Sequence, residues 1–439
     1  MIYLSMDVGT SSTKISILDD GLRELQTARA EYPCVLLPGS KVEMDPEVLF
    51  AAISKAAWQL DADLRRRVEV VCYDAFSPSP VLIGESGKLA YPRIITHLDR
   101  RSREQSAFID ARVGRDRYLS IAGFHPFVGG SGVLALLWIR QNAPHYLAGT
   151  HQVGHLTSYI HKRLTGEWMT DLVNASMLGV YETTTQAGWS KTLIDAFELD
   201  ERWFGPIYNP GKSLGTLLPE MAELMGVRSG VPVTVGTNDM AAAQVGAGNT
   251  EPGCIMDTAG SSDMVSILTD VPVVSPHYYL RNSALPGMWQ IYATTAGGFA
   301  LDWFYEQFVR DISRDEFYRT FVAKALDEHM DDDAVTFDPY LTGDRQSMEV
   351  KTGAWHGLTL ATTREEMLAA LLKSMARVLS ATICQAKDIV ELKSVIKLSG
   401  GLSNEPYLRL KRREIPGFAF EVVDNCPIRG NVRLAQRYS

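Results

Sequence analysis

Two short segments, 250 residues apart, share nearly the same pattern of acidic and small residues. The first reads DVGTSST over residues 7–13, and the second reads DTAGSSD over residues 257–263. In each segment a β-prone run leads into a turn of small residues, and another β-prone run follows. A strand–turn–strand unit that recurs once in 439 residues predicts two related lobes, each presenting one hairpin turn.

Strand and helix patterns alternate along the rest of the chain. Asp45-Pro46 predicts a helix start, because Asp caps well and Pro suits the first turn. The other predicted helices are 100–180 with a break at 129–132, 239–246 and 364–392. The predicted strands are 2–8, 13–18, a third strand after Gly21, 68–75, 79–84, 231–236, 254–258, 264–268 and 395–398. This alternation predicts an α/β protein with covered sheets.

Composition excludes several classes of protein. Hydrophobic residues make up 46% and charged residues 22%, which is typical of a globular chain. The net charge of −9 argues against a nucleic-acid or anionic-membrane surface. No apolar run approaches the roughly 20 residues of a membrane helix, and no basic region precedes the first apolar stretch. We therefore expect no nucleic-acid partner, no membrane partner and no secretory signal.

The cysteines and histidines indicate no disulfide framework or zinc site. Five cysteines are far apart without a CxxC pair, which is typical of a reduced cytoplasmic chain. His151 and His155 are four residues apart and could share a helix face. Because no acidic ligand follows at metalloprotease spacing, packing is the favoured role for this pair.

Turns of Gly, Ser and Thr leave backbone N–H groups uncovered, which suits phosphate oxygens. Asp7, at the end of the first strand, could hold Mg²⁺ through waters, and Lys14 could add a positive charge. The alternative is an ordinary hairpin turn, with Asp7 accepting from an amide and Lys14 in solvent. The second turn and a third glycine-rich loop favour phosphate binding.

That third loop, Gly400-Gly401-Leu402-Ser403-Asn404, lies between a predicted strand and a predicted helix. Glycine permits close approach of a flat ligand such as adenine. A simple strand-to-helix turn, capped by Ser403 or Asn404, is the alternative.

Asp239 follows a buried-type strand and a tight turn, at the start of a predicted helix. It could cap the helix. Alternatively, it could accept a proton from an alcohol that attacks a phosphoryl group, since α/β sheets bind ligands at this strand end. We expect the helix N-terminus to keep the pKa of Asp239 low.

Segments along nearly the whole chain, in the same order, resemble the FGGY family of carbohydrate kinases, which includes the xylulose, glycerol, ribulose and gluconate kinases. They are DVGTSSTK at 7–14, EMDPEVLFAAI at 43–53, RLTGEWMTDLVNAS at 163–176, GWS at 188–190, GTNDMAAAQVGAG at 236–248, TAGSS at 258–262, FDPYLTGDR at 337–345 and LSGGLSNEPYL at 398–408. The resemblance implies the two-domain actin-like ATPase (ribonuclease H-like) fold. Each domain then has a mixed β-sheet flanked by helices, with a cleft between the domains.

The resemblance also implies phosphorylation of a sugar or polyol hydroxyl by ATP with Mg²⁺. Residues 1–245 would bind sugar and carry the first phosphate motif, and residues 246–439 would carry the second phosphate motif and the adenosine motif. Asp239 would be the general base, and Asp7 would organise Mg²⁺. The residues carried over for ATP are Thr10, Ser11, Lys14, Gly260, Ser261, Gly400, Gly401 and Asn404.

The sugar segment departs from the xylulose kinase pattern. Those kinases have QMHG where this chain has Phe76-Ser77-Pro78-Ser79, and His97-Leu98-Asp99-Arg100-Arg101 replaces their WNDTR. Asp74-Ala75-Phe76 resembles the D-x-aromatic pattern of rhamnulokinases. The candidate sugar contacts are Asp74, Phe76, Ser77, His97, Asp99, Asn238 and Asp239. A core position for Phe76 and an arginine partner for Asp99 are open alternatives.

The leading hypothesis is a cytoplasmic kinase, with a homodimer as an expectation, for a ketopentose such as xylulose or ribulose. The alternative acceptors are another polyol, a deoxyketose or a sugar acid. An actin-fold ATPase and a non-catalytic sugar sensor are rival functions. The chain ends soon after Gly430-Asn431, so we expect a short terminal helix.

Overall fold

The computed structural model describes residues 1–127, 131–341, 343 and 351–438. The chain divides into two compact units. The first unit contains Met1–Thr250, Leu280–Trp289 and Asn425–Ser439, and the second contains Glu251–Tyr279 and Gln290–Asp424. The C-terminal segment thus belongs to the first unit. The functional division after residue 245 stays a prediction.

The strands have the following bounds. They are β1 (Ile2–Val8), β2 (Ser12–Asp19), β3 (Glu24–Glu31), β4 (Val35–Leu37), β5 (Lys41–Met44), β6 (Val70–Ala75), β7 (Pro80–Ile83), β8 (Ile94–Ile95), β9 (Gln152–His155), β10 (Thr170–Asp171), β11 (Ile207–Tyr208), β12 (Ser213–Thr216), β13 (Pro232–Thr234), β14 (Thr237–Asn238), β15 (Ile255–Ala259), β16 (Asp263–Thr269), β17 (Tyr279–Asn282), β18 (Trp289–Thr295), β19 (Thr336–Asp338), β20 (Ala354–His356), β21 (Val395–Ser399) and β22 (Ala419–Val422).

The helices have the following bounds. They are α1 (Pro46–Ala57), α2 (Ala62–Arg66), α3 (Gln105–Val113), α4 (Arg115–Ala122), α5 (Gly132–Asn142), α6 (His145–Ala148), α7 (Leu156–Thr165), α8 (Leu172–Leu178), α9 (Lys191–Ala196), α10 (Pro219–Met225), α11 (Asp239–Gly246), α12 (Gly297–Phe308), α13 (Arg314–Glu316), α14 (Val322–His329), α15 (Arg364–Ala386), α16 (Glu405–Glu414) and α17 (Cys426–Gln436). A 3₁₀ turn covers Glu201–Trp203, and a π-helical turn covers Phe317–Phe321.

The first unit is built on a mixed sheet of order β12-β13-β6-β1-β2-β3, with β14 also paired to β6. β2 is antiparallel to both β1 and β3, whereas β6 runs parallel to β1 and to β13. Because side chains alternate along a strand, Leu4 and Met6 face a core that includes Phe50 of α1. Tyr3 faces a separate apolar cluster with Ile428 of α17. The terminal helix therefore covers the opposite face of this sheet.

The second unit contains the strand order β18-β16-β15-β21-β22. β15 is antiparallel to β16 and parallel to β21, and β21 is parallel to β22. β15 therefore lies between its antiparallel hairpin partner β16 and the parallel strand β21, just as β1 lies between β2 and β6 in the first unit. The two predicted turns close alike, with Gly9 N donating to Ser12 O and Gly260 N donating to Ser262 O, both at 3.0 Å. The predicted internal repeat is confirmed in strand order.

Three predicted elements differ from the structure. α15 ends at Ala386 rather than at 392, because the chain turns so that Lys393 N donates to Gly253 O. Residues 100–180 contain β9 and β10 as well as helices. Of the predicted break at 129–132, residues 129 and 130 lie outside the described residues, and α5 begins at Gly132. His151 and His155 do not share a helix face, because β9 ends at His155 and pairs with β7.

Helix α15 is, among the described residues, the one long and apolar enough to cross a membrane. In the 18-residue stretch of α15 that is apolar enough to cross a membrane, 61% of the residues are buried inside the protein. Lys373 and Arg377 interrupt its apolar residues. Together these features fit the core helix of a folded domain.

Candidate active site

Three aspartates of the first unit meet where neighbouring strands end. Asp7 of β1 lies opposite Asp74 of β6 in the parallel register. Thr237 of β14 is also paired with Asp74, and Asp239 follows two residues later as the first residue of α11. Because the carboxyl ends of parallel strands meet at one edge, these carboxylates are brought together.

Asp74 is fully buried, and its surroundings favour the protonated form. Burial, together with the charges of Asp7 and Asp239, raises the pKa of Asp74 well above its usual range. Burial also raises the pKa of Asp7, although Lys14 and a hydrogen bond with Asp74 oppose this effect. The surroundings therefore favour protonation of Asp74 more strongly than protonation of Asp7, which makes Asp7 the better candidate for the ionised partner.

Asp239 is only partly exposed, and burial, followed by the charge of Asp7, raises its pKa to about 6. The expectation of a low pKa is therefore wrong, because these two effects outweigh the N–H of Met240 and the charge of Arg281. The side chain of Asn238, not that of Asp239, caps α11 by accepting from Ala241 N at 3.2 Å. Asp239 thus has the character of a base that is ionised at neutral pH.

The first turn exposes donors of the kind a phosphate needs. Tyr32 donates its hydroxyl to Gly9 O at 2.6 Å and its N–H to Ser11 O at 2.9 Å, which fixes the turn from behind. Within the described chain, the amides and hydroxyls of Thr10 and Ser11 make no hydrogen bond. Lys14 donates to Asn425 Oδ1 at 2.7 Å, so its ammonium is held beside the turn.

The second unit brings the turn at Gly260 next to the loop at Gly400. Gly400 has φ 108°, and a Cβ there would collide with the backbone of Ala259. Leu402 N also donates to Ala259 O at 2.9 Å. Turn and loop therefore form one surface, on which Ser261, Gly401 and Asn404 are exposed.

Two residues of this surface, Gly401 and Asn404, leave room for a ligand. Among the residues that the structure describes, a Cβ at Gly401 would meet no atom within 4 Å. Asn404 occupies the N-cap position of α16 without a capping side-chain bond, while Ser403 Oγ donates to Gly400 O at 2.8 Å. Asn404 is thus the N-cap residue, as the alternative for this loop proposed, but its side chain makes no capping bond among the described residues.

The structure separates the predicted sugar contacts into two groups. Asn238 Nδ2 donates to Ser77 Oγ at 2.9 Å and to Asp239 Oδ1 at 2.8 Å, so these three residues lie together, and Asp74 is buried beside them. Ser77 Oγ also donates to Met177 Sδ at 3.5 Å.

The second group is Phe76, His97 and Asp99. Phe76 has the core position, and Asp99 has the arginine partner, that were the alternatives to sugar contact. Phe76 is 2% exposed in the apolar core, with its ring centroid 5.8 Å from that of His97. Asp99 is buried and pairs with Arg101 at 2.7 Å, and it also accepts from Val42 N. Their contact with a sugar stays a prediction.

Two residues of this site were missed. Asn431 of α17 donates to Asp74 Oδ2 at 2.6 Å. Arg281 of β17 is 3% exposed, contacts Met177 Sδ through Nη1 at 3.4 Å, and lowers the pKa of Asp239. In the sequence, the glycine at Gly430 was a weak signal of a close approach beside Asn431. In the structure, a Cβ at Gly430 would collide with Ala242 of α11. Arg281 belongs to no recognised motif.

The donor set of the first unit fits a divalent cation such as Mg²⁺. Hard cations prefer carboxylate oxygens, and Asp7 offers a partly exposed carboxylate at a strand end. The neighbouring charges raise the pKa of Asp74 and of Asp239. A cation bound by Asp7 would relieve the electrostatic repulsion among these three carboxylates.

The sequence matches a known family and curated relatives. Residues 2–246 match the model of the FGGY family of carbohydrate kinases, N-terminal domain. The chain is 24% identical over 449 residues to xylulose kinase from Escherichia coli (strain K12), which covers 99% of this chain and 90% of that protein. It is 23% identical over 387 residues to gluconokinase from Bacillus subtilis (strain 168), covering 85% and 74% of the two chains.

The structure is similar to solved structures of the same kind. Ligand-bound xylulose kinase from Lactobacillus acidophilus superposes with a TM-score of 0.87 at 20% identity, covering 100% of this chain and 89% of that chain. This likeness confirms the predicted two-domain actin-like ATPase fold, with a mixed sheet and flanking helices in each domain.

Proposed function

Because this chain belongs to the FGGY family of carbohydrate kinases, it is a sugar phosphotransferase, and we propose that its acceptor is a ketopentose such as xylulose or ribulose. The observation that carries the proposal is the pairing of a base, Asp239, with the hydrogen-bonding groups of Asn238 and Ser77. The curated relative named xylulose kinase, similar over nearly the whole chain, supports the choice of sugar.

In the proposed reaction, the sugar hydroxyl lies within reach of Asp239. Its oxygen forms a bond to the γ-phosphorus of ATP, the bond between that phosphorus and the ADP oxygen breaks, and the hydroxyl proton passes to the Asp239 carboxylate. A pKa of about 6 keeps most of this carboxylate ionised at pH 7 and makes it a stronger base than an exposed aspartate. Ser77 and Asn238 orient the sugar, which supplies much of the rate through positioning.

We assign the nucleotide contacts to the glycine-rich turns of both units. The uncovered amides and hydroxyls of Thr10 and Ser11 face phosphate oxygens, as do Gly260 and Ser261 in the second unit. Gly400, Gly401 and Asn404 lie along the adenosine. Mg²⁺, held by Asp7, would neutralise phosphate charge.

A sugar acid is the second candidate acceptor. Arg281 places a buried guanidinium in the same group of contacts as Ser77 and Met177, and its charge acts on Asp239. A carboxylate on the substrate would complement that charge. The gluconokinase relative supports this alternative. Homodimer formation and a cytoplasmic location stay predictions.

The test is release of ADP with ATP and Mg²⁺ against a panel of ketopentoses, deoxyketoses, polyols and aldonic acids. We expect one ketopentose to stimulate turnover far above the sugar-free rate, and Asp239→Ala to remove that stimulation. Preference for an aldonic acid would replace the ketopentose by the sugar acid. Sugar-independent turnover would instead support the ATPase rival.

A further inference from the structure

A buried cluster of charges lies under the phosphate turn of the second unit. Lys411 of α16 is 1% exposed at its side chain, and its Nζ donates to Asp257 Oδ2 at 2.9 Å and to Asp263 Oδ2 at 2.7 Å. Both aspartates are also buried. All three groups therefore lie inside the protein, away from solvent that would otherwise stabilise their charges.

The position of the cluster links the two nucleotide loops. Asp257 lies in β15 and Asp263 begins β16, so the two carboxylates lie on either side of the turn at 260–262. Lys411 lies in the helix that begins directly after the loop at 400–404. One side chain thus joins both strands of the phosphate hairpin to the helix of the adenosine loop.

Such a cluster is a costly way to fill a core. Apolar residues of similar volume are often as stable as a buried ion pair or more so. Burial raises the pKa of Asp257 well above its usual range, and Asp263 raises it further, although Lys411 opposes this. The cluster fixes the position of α16 relative to the hairpin. Its three hydrogen-bonding atoms, Lys411 Nζ and one oxygen of each aspartate, allow one arrangement, whereas apolar packing allows several.

Backbone hydrogen bonds also hold the same turn. Gly298 N donates to Gly260 O and Phe299 N donates to Ser261 O, both at 2.9 Å. These bonds and the bond from Leu402 N act on residues 259–261. Lys411 adds the attachment to β16, which completes the support of the hairpin.

We propose that Lys411 is a positioning residue for the nucleotide: through Asp257 and Asp263 it holds the phosphate turn and the adenosine loop in one relative arrangement, so that both ends of ATP bind together. The proposal rests on the nucleotide role assigned to these loops above. Lys411 touches neither phosphate nor adenosine, and its effect passes through the two aspartates.

The experiment compares Lys411→Met with Lys373→Met, a matched control. Lys373 of α15 is equally buried in the same unit, but it binds Asp333 Oδ1 and the carbonyl of His329 instead of the turn. Both variants remove a buried ammonium group. We expect the KM for ATP to rise at least about tenfold in Lys411→Met and to stay unchanged in Lys373→Met, with the KM for sugar unchanged in both.

Binding of ADP and AMP, measured by calorimetry, separates positioning from general damage. Lys411→Met should lose affinity for ADP, which reaches the turn, more than for AMP. Equal effects of the two lysine variants on the KM for ATP would overturn the proposal. A wild-type protein that binds no nucleotide would overturn the proposed function instead.

If Lys411→Met does not fold, a triple variant tests the same proposal. Lys411→Met combined with Asp257→Asn and Asp263→Asn leaves no uncompensated charge in the core. We expect this variant to fold but to keep the raised KM for ATP. A wild-type KM for ATP in the folded triple variant would show that the cluster does not position the nucleotide.

Discussion

Asp239→Asn should stabilise the protein and inactivate it in the same step. The unfolded carboxyl loses its proton near pH 3.8, and in the folded protein the pKa rises to about 6. This difference of about 2 pH units corresponds to about 3 kcal/mol. Because the folded pKa is the higher one, this group stabilises the fold fully below pH 3.8, and its contribution is lost as the pH rises through 6.

Asparagine stays neutral at every pH and therefore avoids that loss. We expect Asp239→Asn to gain about 1–3 kcal/mol in the free energy of unfolding at pH 7.5, measured in urea, and little near pH 4. The charge-matched control is Asp388→Asn, since Asp388 is exposed in the second unit. The control variant should show no such gain.

Activity should follow the same pKa. For the wild type, kcat/KM should fall below pH 6, and at pH 5 about a tenth of the Asp239 carboxylate stays ionised, which gives about a tenfold loss. Asp239→Asn should lose at least about 10²-fold in kcat and should no longer show this acidic limb. An unchanged kcat in the variant, or a flat wild-type profile down to pH 5, would refute the assignment of Asp239 as the base.

Other substitutions test the remaining roles. Gly400→Ala should raise the KM for ATP and lower the free energy of unfolding by about 1–3 kcal/mol, because its Cβ collides with the end of β15. Gly401→Ala, whose Cβ would meet no described protein atom within 4 Å, should leave the free energy of unfolding unchanged. Asn431→Ala should lower the free energy of unfolding in urea by about 1–3 kcal/mol, because a buried carboxyl loses its donor. Arg281→Met should move the acidic limb of kcat/KM to higher pH, since its charge lowers the pKa of Asp239; an unmoved limb would contradict that role.

Elements with strong local signals could be predicted from the sequence. Asp45 caps α1, and Pro46 is its first residue, because capping acts within a single turn. α11 has the predicted bounds 239–246. By contrast, β9 forms through pairing with β7, and α15 ends at Ala386, ahead of the bond from Lys393 N to Gly253 O. Both features depend on partners distant in sequence, which local patterns do not reveal.

The site shows the same division. Asp7, Asp239 and the glycine turns could be proposed from the sequence because each lies in a local motif. Asn431 and Arg281 reach the carboxylates through the fold, across several hundred and several tens of residues respectively, so no spacing marked them. The pKa of Asp239 was mispredicted because the helix terminus is visible in sequence, whereas the burial and the neighbouring charge of Asp7 are not.

The two hairpins differ in the charge of one pair of neighbouring strand residues. The turn after Gly9 has one residue more than the turn after Gly260, since Val8 pairs with Thr13 and Ala259 with Asp263. When the glycines are aligned, the paired Asp7 and Asp74 of the first unit correspond to the paired Thr258 and Ser399 of the second. Carboxylates attract a cation and repel phosphate, whereas hydroxyls can donate to phosphate oxygens without repelling them. Under the proposed function, Asp7 of this strand pair would hold the metal in the first unit, and Thr258 and Ser399 bring no repelling charge to the phosphate turn of the second.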